Sequence, residues 1–299
     1  TFTDQEIIGA IIRETRLRIE LSGMYQSMNR LRVVHLDLED GDIETAVNSC
    51  VAEIDNTLLD MAASKSTTIK GSQTKKIDIL VNSIGGLFPM ATGTGESAGA
   101  VPPRHPMGLE KHAAINTIGP ILLTEKLKPK ITKESGRIIH VTCDAHRQIR
   151  DVNEAKNLLQ GRAVSRSQQS YYAASKLANL CYAIDQQEND PDHIHLALHP
   201  GVSLTNLYKT TPGWKFFRDF KLEDWIDGLC TLVFKSPKEA AHTPVHCAMH
   251  HAIPEQVGKN VSSNISTSNK KNYAESEKAF YFVDCKPGNK YASKLVQDE

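Results

Sequence analysis

The hydrophobic positions of the chain alternate between two repeat lengths. Short runs rich in β-branched residues predict strands, and longer segments in which apolar residues recur every three to four positions predict helices. The predicted strands cover residues 31–38, 77–83, 136–143, 193–199 and 279–285. The predicted helices cover residues 4–24, 42–63, 107–131 and 167–187, with further helical segments within 213–252. Strands that alternate with helices predict an α/β fold, with a parallel sheet covered on both faces.

Neither a repeat nor a linker divides this pattern, so we expect a single domain over residues 1–299. Residues 64–76 and 253–278 are polar and are expected to be insertions or mobile loops. A Gly- and Pro-rich stretch that ends near Pro106, and the polar segment 144–168, are expected to be further loops.

Composition narrows the class of protein. The chain has 35 basic and 35 acidic residues, so its formal charge is zero, which argues against binding nucleic acid or an anionic membrane by bulk electrostatics. Six cysteines without a C-x-x-C pair indicate reduced thiols and an intracellular protein. No apolar run approaches the ~18 residues of a membrane-spanning helix. The chain begins at Thr1, so a preceding anchor would change a cytoplasmic location to a membrane-associated one.

The first candidate for chemistry is a tyrosine–lysine pair in "SYYAASKLANL", residues 170–180. Tyr172 and Lys176 are four positions apart, which places them on one face of the predicted helix. A phenol ionises near pH ~10, and a neighbouring cation lowers that value toward the range of a general acid or base. Chance spacing on a solvated helix is the alternative explanation for such a pair.

Five ordered segments give this pair a context: "DILVNSIGG" (78–86), "INTIGPILLTEKLKPKI" (115–131), "GRIIHVTC" (136–143), "YYAASK" (171–176) and "HPGVSLTNL" (199–207). In their order and approximate spacing they resemble the short-chain dehydrogenases, and the chain looks like the retinol dehydrogenase-like branch. "SPKEAA" (236–241) and "YFVDCK" (281–286) also resemble that branch. The resemblance implies a doubly wound, Rossmann-like sheet and an NADP-dependent oxidoreductase, with NAD as the alternative cofactor.

The resemblance also implies catalytic roles. Tyr172 would be the general acid that protonates a carbonyl as nicotinamide delivers hydride. Lys176 would lower the pKa of that tyrosine and bind the nicotinamide ribose. Asn116 would anchor a water that links the lysine to solvent, although a solvent-facing asparagine is the simpler reading. Cys143 occupies the position of the family's catalytic serine.

Further residues match segments of the family that contact the cofactor. Asp37 would contact the adenine, unless it only begins a helix. Asn82 and Gly85 stand in the turn beside the adenine ribose. The Pro-Gly-x-x-x-Thr segment that meets the carboxamide and diphosphate is matched by Pro200, Gly201 and Thr205.

Two positions depart from the family pattern. Ile84 replaces an alanine that lets the chain approach the cofactor, so binding is expected to be weakened. A thiol donates hydrogen bonds weakly, so Cys143 should polarise a carbonyl less than serine would. Thr142 could substitute only if the strand had already ended, because adjacent strand residues face opposite sides.

The largest departure lies ahead of residue 31, where we find no strand, glycine-rich turn and helix to hold a cofactor diphosphate. The glycines of "ATGTGESAGAV" (91–101) do not follow a strand, and "VPPRHP" would block the required helix. We therefore hypothesise an N-terminally incomplete version of a longer enzyme. Such a chain should bind dinucleotide poorly, and tight NADPH binding by calorimetry would contradict this.

Two other clusters of side chains are candidates for a function. His242, His246 and His250 recur every four residues, but Pro244 interrupts them and no carboxylate accompanies them, so we expect no metal site. The segment 213–234 concentrates aromatic side chains, among them Trp214, Phe216, Phe217, Phe220 and Trp225. This indicates a lid over an apolar substrate, core packing or, less well, an interfacial helix.

The sequence thus supports two functions. The first is an oxidoreductase that interconverts a small apolar alcohol, such as a retinol-, steroid- or lipid-like one, and its carbonyl. The second is a catalytically silent relative that uses the scaffold to bind other proteins. Nucleic acid is not expected as a partner, and membrane contact and oligomeric state are left open.

Overall fold

The computed structural model describes residues 32–63, 76–92, 100–162, 167–202, 234–258 and 278–296. The chain divides into two compact units, one formed by Thr1–Leu36 with Ser49–Lys75 and the other by Asp37–Asn48 with Lys76–Glu299. The sheet and the candidate site belong to the second unit. The predicted helix at 4–24 and most of the segment 64–76 lie outside the described residues.

A mostly parallel sheet organises the second unit. Its strands are β1 (Ile79–Asn82), β4 (Arg137–Val141), β5 (Ile194–His199), β6 (Tyr281–Val283) and β7 (Lys286–Pro287), adjacent in that order. The first four run parallel, and β7 returns antiparallel to β6. A separate hairpin pairs β2 (Ala91–Thr92) with β3 (Ala100–Val101) inside the expected loop. The predicted α/β fold is confirmed.

The described residues also form seven α-helices. They are α1 (Ile43–Ala63), α2 (Gly119–Leu127), α3 (Val152–Leu159), α4 (Gln168–Asn189), α5 (Pro237–Ala240), α6 (His242–Met249) and α7 (Ile253–Gln256). A π-helix, Ala113–Ile118, leads directly into α2, and single 3₁₀ turns cover Lys128–Lys130, Asp144–Gln148, Asn289–Tyr291 and Lys294–Val296. None of the described helices is both long and apolar enough to cross a bilayer.

The strand β5 is buried on both faces because helices cover it from two sides. On one face, Leu196 and Leu198 pack in a cluster with Cys247 of α6 and Ile253 of α7. On the other face, Ala197 packs with Leu180 and Ala183 of α4, among other residues. Burial on both faces is typical of a strand in a parallel sheet, and this packing holds α4 against the sheet.

The predictions for three segments are wrong. Residues 32–38 form no strand, because a strand forms only where another pairs with its backbone, and they have no such partner in the described part of the chain. The segment 144–168 is not all loop, since it contains α3. That helix begins where the Asp151 carboxylate accepts a hydrogen bond from the backbone N–H of Glu154 at 3.0 Å. Helix α7 likewise falls within the expected loop 253–278, and Ile253 is fully buried.

Candidate active site

The candidate site lies where α4, the π-helix and the ends of β1 and β4 meet. Helix α4 begins at Ser167, whose hydroxyl accepts a hydrogen bond from the backbone N–H of Gln169 at 3.2 Å. Ala173, Ala174 and Leu177 are buried in a hydrophobic cluster, which fixes the rotation of the helix. Tyr172 and Lys176 therefore share the neighbouring face.

Lys176 is almost fully buried, and its ammonium group reaches the loop after β1. Its Nζ donates to the carbonyl of Ile84 at 3.4 Å and to the carbonyl of Val141 at 3.3 Å. The Nζ also lies 5.7 Å from the centre of the Tyr172 ring. Both hydrogen bonds are long for an ammonium donor, which leaves this group able to bind a further acceptor.

Cys143 completes the catalytic set from the end of β4. The strand ends at Val141, so Cys143 already belongs to the following turn. The Tyr172 hydroxyl and the Cys143 thiol are hydrogen-bond partners, and this contact contributes to the pKa shifts of both groups. Thr142 does not take this place, because its hydroxyl instead accepts from the backbone N–H of Cys143 at 2.6 Å.

Asn116 lies in the π-helix, where its side chain ties two segments together. Its Oδ1 accepts from the backbone N–H of Gly86 at 2.8 Å, and its Nδ2 donates to the Gly86 carbonyl at 2.9 Å and to the Ser175 hydroxyl at 3.2 Å. π-Helical turns within longer helices are frequent at functional sites. The role of Asn116 in holding a water stays a prediction.

Gly85, Asn82 and Asp37 differ in how they relate to Lys176. Gly85 joins the cluster, because a Cβ on it would lie 2.8 Å from Lys176 Nζ. Asn82 is turned away from it, since its Nδ2 donates to the buried Thr124 hydroxyl at 2.6 Å. Asp37 is held in a local turn, with its Oδ1 accepting from the backbone N–H of Glu39 at 2.8 Å. The structure brings neither of these two side chains to Lys176.

The Pro-Gly segment follows β5. Gly201 has φ +92°, in the region that favours glycine, and a Cβ on it would lie 2.6 Å from Cδ of Lys235. The carbonyl of Pro200 accepts from Lys235 Nζ at 3.4 Å. Thr205 and residues 213–233 of the aromatic segment lie outside the described residues.

Burial dominates the electrostatics of the site. It raises the pKa of Tyr172 far above its ordinary value, and the neighbouring Cys143 adds to this effect. Burial also raises the pKa of Cys143 and lowers that of Lys176. The prediction that Lys176 lowers the pKa of Tyr172 is therefore wrong for this structure. Removing the phenol from water outweighs the attraction of a lysine whose own charge is disfavoured by burial.

Sequence reasoning missed the residues that support this set. The Ser175 hydroxyl donates to the Tyr172 carbonyl at 2.7 Å, and Asn179 Nδ2 donates to the Asn116 carbonyl at 2.8 Å. The spacing of 172, 175, 176 and 179 along one helix face is the signal that could have found them.

A second support links the loop after β1 to the start of the π-helix. His112 Nδ1 contacts Glu110 Oε1 at 2.7 Å, and its Nε2 accepts from the backbone N–H of Phe88 at 3.0 Å. Both side chains of this pair are fully buried. The centre of the His112 ring lies 6.4 Å from that of the Tyr172 ring. The Glu110–His112 contact therefore stabilises the part of the site next to Tyr172.

Curated proteins with similar sequences are dehydrogenases by name. The chain is 32% identical over 140 residues to the bovine protein named dehydrogenase/reductase SDR family member 13, covering 45% of this chain and 34% of that one. It is 34% identical over 151 residues to the mouse protein named polyprenol dehydrogenase, covering 47% of this chain and 42% of that one. These matches agree with the ordered motifs and the paired Tyr172 and Lys176. They support the resemblance of the chain to the short-chain dehydrogenase/reductase superfamily.

Other comparisons add less to this resemblance. No family model matches the chain. Among solved structures, it is similar to the angucycline C-6 ketoreductase LanV with bound NADP, at 16% identity and a TM-score of 0.46, covering 73% of this chain and 68% of that one. It is also similar to an NADPH-bound carbonyl reductase from chicken fatty liver, at 17% identity and a TM-score of 0.40, covering 64% and 63%. The chain spans less than half the length of the two curated relatives named above.

Proposed function

We propose that the chain acts as an NAD(P)-dependent oxidoreductase that interconverts an apolar alcohol and its carbonyl, with Tyr172 as the general acid and base. One observation carries this proposal: the Tyr172 hydroxyl, the Cys143 thiol and the Lys176 ammonium meet at the ends of adjacent strands. Ligands of open α/β sheets bind at the carboxyl ends of the strands, where this set lies.

The protonation states suit the reduction of a carbonyl. Because burial raises the pKa of Tyr172, its hydroxyl carries a proton at neutral pH. A substrate oxygen that replaces the Cys143 sulfur as acceptor would take that proton, and the thiol would supply a second, weaker donor.

The residues fit the nicotinamide half of a dinucleotide. When bound, NADP or NAD supplies or accepts the hydride at the reacting carbon. Lys176 Nζ makes two long hydrogen bonds to backbone carbonyls, so it can donate to a ribose hydroxyl. Gly85 leaves the space beside this group open, because any larger residue would put a Cβ 2.8 Å from it. The family resemblance favours NADP.

An apolar substrate is supported by sequence. One similar protein is named for polyprenol, and the aromatic residues of 213–234 supply apolar side chains after the Pro-Gly segment. A lipid-like alcohol or aldehyde is therefore the class to test first.

The test is NADPH oxidation by the chain with a panel of apolar aldehydes and ketones. Tyr172→Phe removes the proton donor and is expected to lower kcat/KM by at least ~100-fold. Tyr182→Phe is the matched control, because it removes a hydroxyl from the same helix that bonds to Glu125 instead. Equal turnover by Tyr172→Phe and the parent would refute the mechanism.

A catalytically silent, protein-binding relative is the second candidate. It is favoured by the thiol at position 143 and by Asn82, whose side chain is committed to Thr124. This function predicts that the parent and Tyr172→Phe show the same absence of turnover across the panel. Turnover that depends on Tyr172 would exclude it.

A further inference from the structure

A second cluster of polar side chains lies at the opposite end of α4, away from Tyr172. Asp190 caps the C-terminus of α4, and His193 and His195 stand at the start of β5. Asp190 Oδ2 lies 2.9 Å from His193 Nδ1 and 3.0 Å from His195 Nε2. One carboxylate oxygen thus contacts two imidazole rings, one from the residue just before β5 and one from the second residue of β5.

These three residues offer the donor set of a transition-metal site. Their ligand atoms all lie within 4.8 Å of one another. Two imidazole nitrogens with one carboxylate oxygen form a common ligand set for zinc, with a water in the fourth position. We propose that Asp190, His193 and His195 form a binding site for a divalent transition metal, for which Zn²⁺ is the probe.

The surroundings suit a bound ion. His195 is fully buried and the other two side chains are nearly so, which excludes competing water from most of the site. Asp190 and His193 also line an open groove of about 560 Å³, which provides an entry path and room for a water ligand.

A bound ion would replace the two imidazole protons that now point at Asp190. It would fasten the end of α4 to the start of β5 through three bonds instead of two hydrogen bonds. We therefore expect Zn²⁺ to raise the melting temperature of the parent chain.

Lys128 provides an internal test of the electrostatics. Its Nζ lies 4.0 Å from Asp190 Oδ2 and also contacts Gln186 Oε1 at 2.7 Å and Glu125 Oε2 at 2.9 Å. A cation at this distance opposes metal binding. Lys128→Gln should therefore bind Zn²⁺ more tightly than the parent.

The other histidine-rich segment supplies the control. The rings of His246 and His250 stack with centroids 4.4 Å apart. Within the described residues, however, the only group of three potential ligands is the one formed by Asp190, His193 and His195. A zinc site at 242–251 would be an alternative explanation of zinc binding, and substitutions in each of the two segments distinguish the two sites.

The experiment is calorimetric titration of the chelator-treated chain with Zn²⁺, followed by the visible absorption of the Co²⁺-loaded protein. We expect one site with tetrahedral Co²⁺ bands, weakened at least ~100-fold in Asp190→Asn and in His193→Gln but unchanged in His250→Gln. His195 is left intact because it is fully buried in β5.

Unchanged melting of each variant in chelator shows that it is folded. The proposal is overturned if the parent binds no Zn²⁺, if binding survives both substitutions, or if His250→Gln abolishes it. Sulfur-to-metal charge-transfer bands in the Co²⁺ spectrum would also overturn it, because no cysteine belongs to the site.

Discussion

The side chains of Tyr172 and Cys143 are hydrogen-bond partners. In the short-chain dehydrogenases that the motifs resemble, a serine stands at the position of Cys143. In the proposed mechanism the thiol would polarise the substrate oxygen, although its S–H is a weak donor. The pair links the geometry of the site to its expected rate.

Cys143→Ser should strengthen the site. A hydroxyl donates a stronger hydrogen bond than a thiol, and loss of one donor at a developing oxyanion typically costs ~10²–10³ in rate. Because the thiol supplies part of this interaction, we expect kcat for carbonyl reduction to rise by about tenfold. Steady-state NADPH oxidation measures the change, with Cys143→Ala as the control that has no donor. A serine variant no faster than the alanine variant would show that position 143 does not touch the substrate.

Gly85→Ala tests the approach of Lys176 to the loop after β1. The added Cβ would lie 2.8 Å from Lys176 Nζ and 3.5 Å from Asn116 Oδ1, so the ammonium group must shift. Displacement of a positioning group by about 1 Å costs up to ~10²-fold in rate. We expect kcat/KM to fall by at least about tenfold.

The adjacent glycine is the control for Gly85→Ala. A Cβ on Gly86 would meet Cζ of Phe88 at 2.8 Å and would leave Lys176 in place. If Gly86→Ala lowers kcat/KM as much as Gly85→Ala does, the loss reflects loop packing and not the position of the ammonium group.

The sequence pattern correctly predicted the segments that pair with one another as strands. It was wrong for a segment that has no pairing partner among the described residues. Residues 77–83, 136–143, 193–199 and 279–285 each contain a strand. Residues 32–38 have the same local signature but pair with no strand in the described part of the chain, and sequence periodicity cannot reveal whether a pairing neighbour exists. Helix α3 was missed for a different reason: it spans only eight residues, and its start depends on the Asp151 cap.

Within the site, spacing along the sequence predicted which residues share a face of one helix. The family resemblance predicted which residues from other segments lie near them. Tyr172 and Lys176 share a face because they are one turn apart. Asn116 and Gly85 were placed by motif alone, and both lie next to Lys176 or its helix. The direction of the Tyr172 pKa could not be read from spacing, because it depends on how much water the fold removes from the phenol.

Glu110→Ala should strongly destabilise the fold. The Glu110 carboxylate is fully buried, contacts His112 Nδ1, and accepts a hydrogen bond from the backbone N–H of Ala113 at 2.8 Å. Its removal leaves two buried polar groups without that partner, which costs ~3 kcal/mol. Urea unfolding measures the change.

Glu39→Ala is the exposed counterpart of this substitution. Glu39 Oε2 lies 3.3 Å from Lys111 Nζ, and the Glu39 side chain is 60% exposed. Its removal should cost less than ~1 kcal/mol. Similar losses in the two variants would mean that burial does not set the strength of the Glu110–His112 contact.

Tyr281→Phe should stabilise the fold, and more so at alkaline pH. The Tyr281 side chain is fully buried, and its hydroxyl has no hydrogen-bond partner among the described residues. An unsatisfied buried hydroxyl costs ~1 kcal/mol, so phenylalanine should raise the free energy of unfolding by about that amount at neutral pH.

The alkaline effect follows from proton linkage. Burial raises the pKa of Tyr281, with Asp144 and Cys143 adding to it, whereas the unfolded phenol ionises near ~10. Above pH ~10 the unfolded chain has lost this proton and the folded chain still holds it, so stability falls as pH rises, by up to ~1.4 kcal/mol per pH unit.

Tyr281→Phe removes that slope, and urea unfolding at neutral pH and above pH ~10 measures both effects. Tyr291→Phe is the control, because Tyr291 is 44% exposed. A Tyr281→Phe variant less stable than the parent at neutral pH would show that the hydroxyl has a partner.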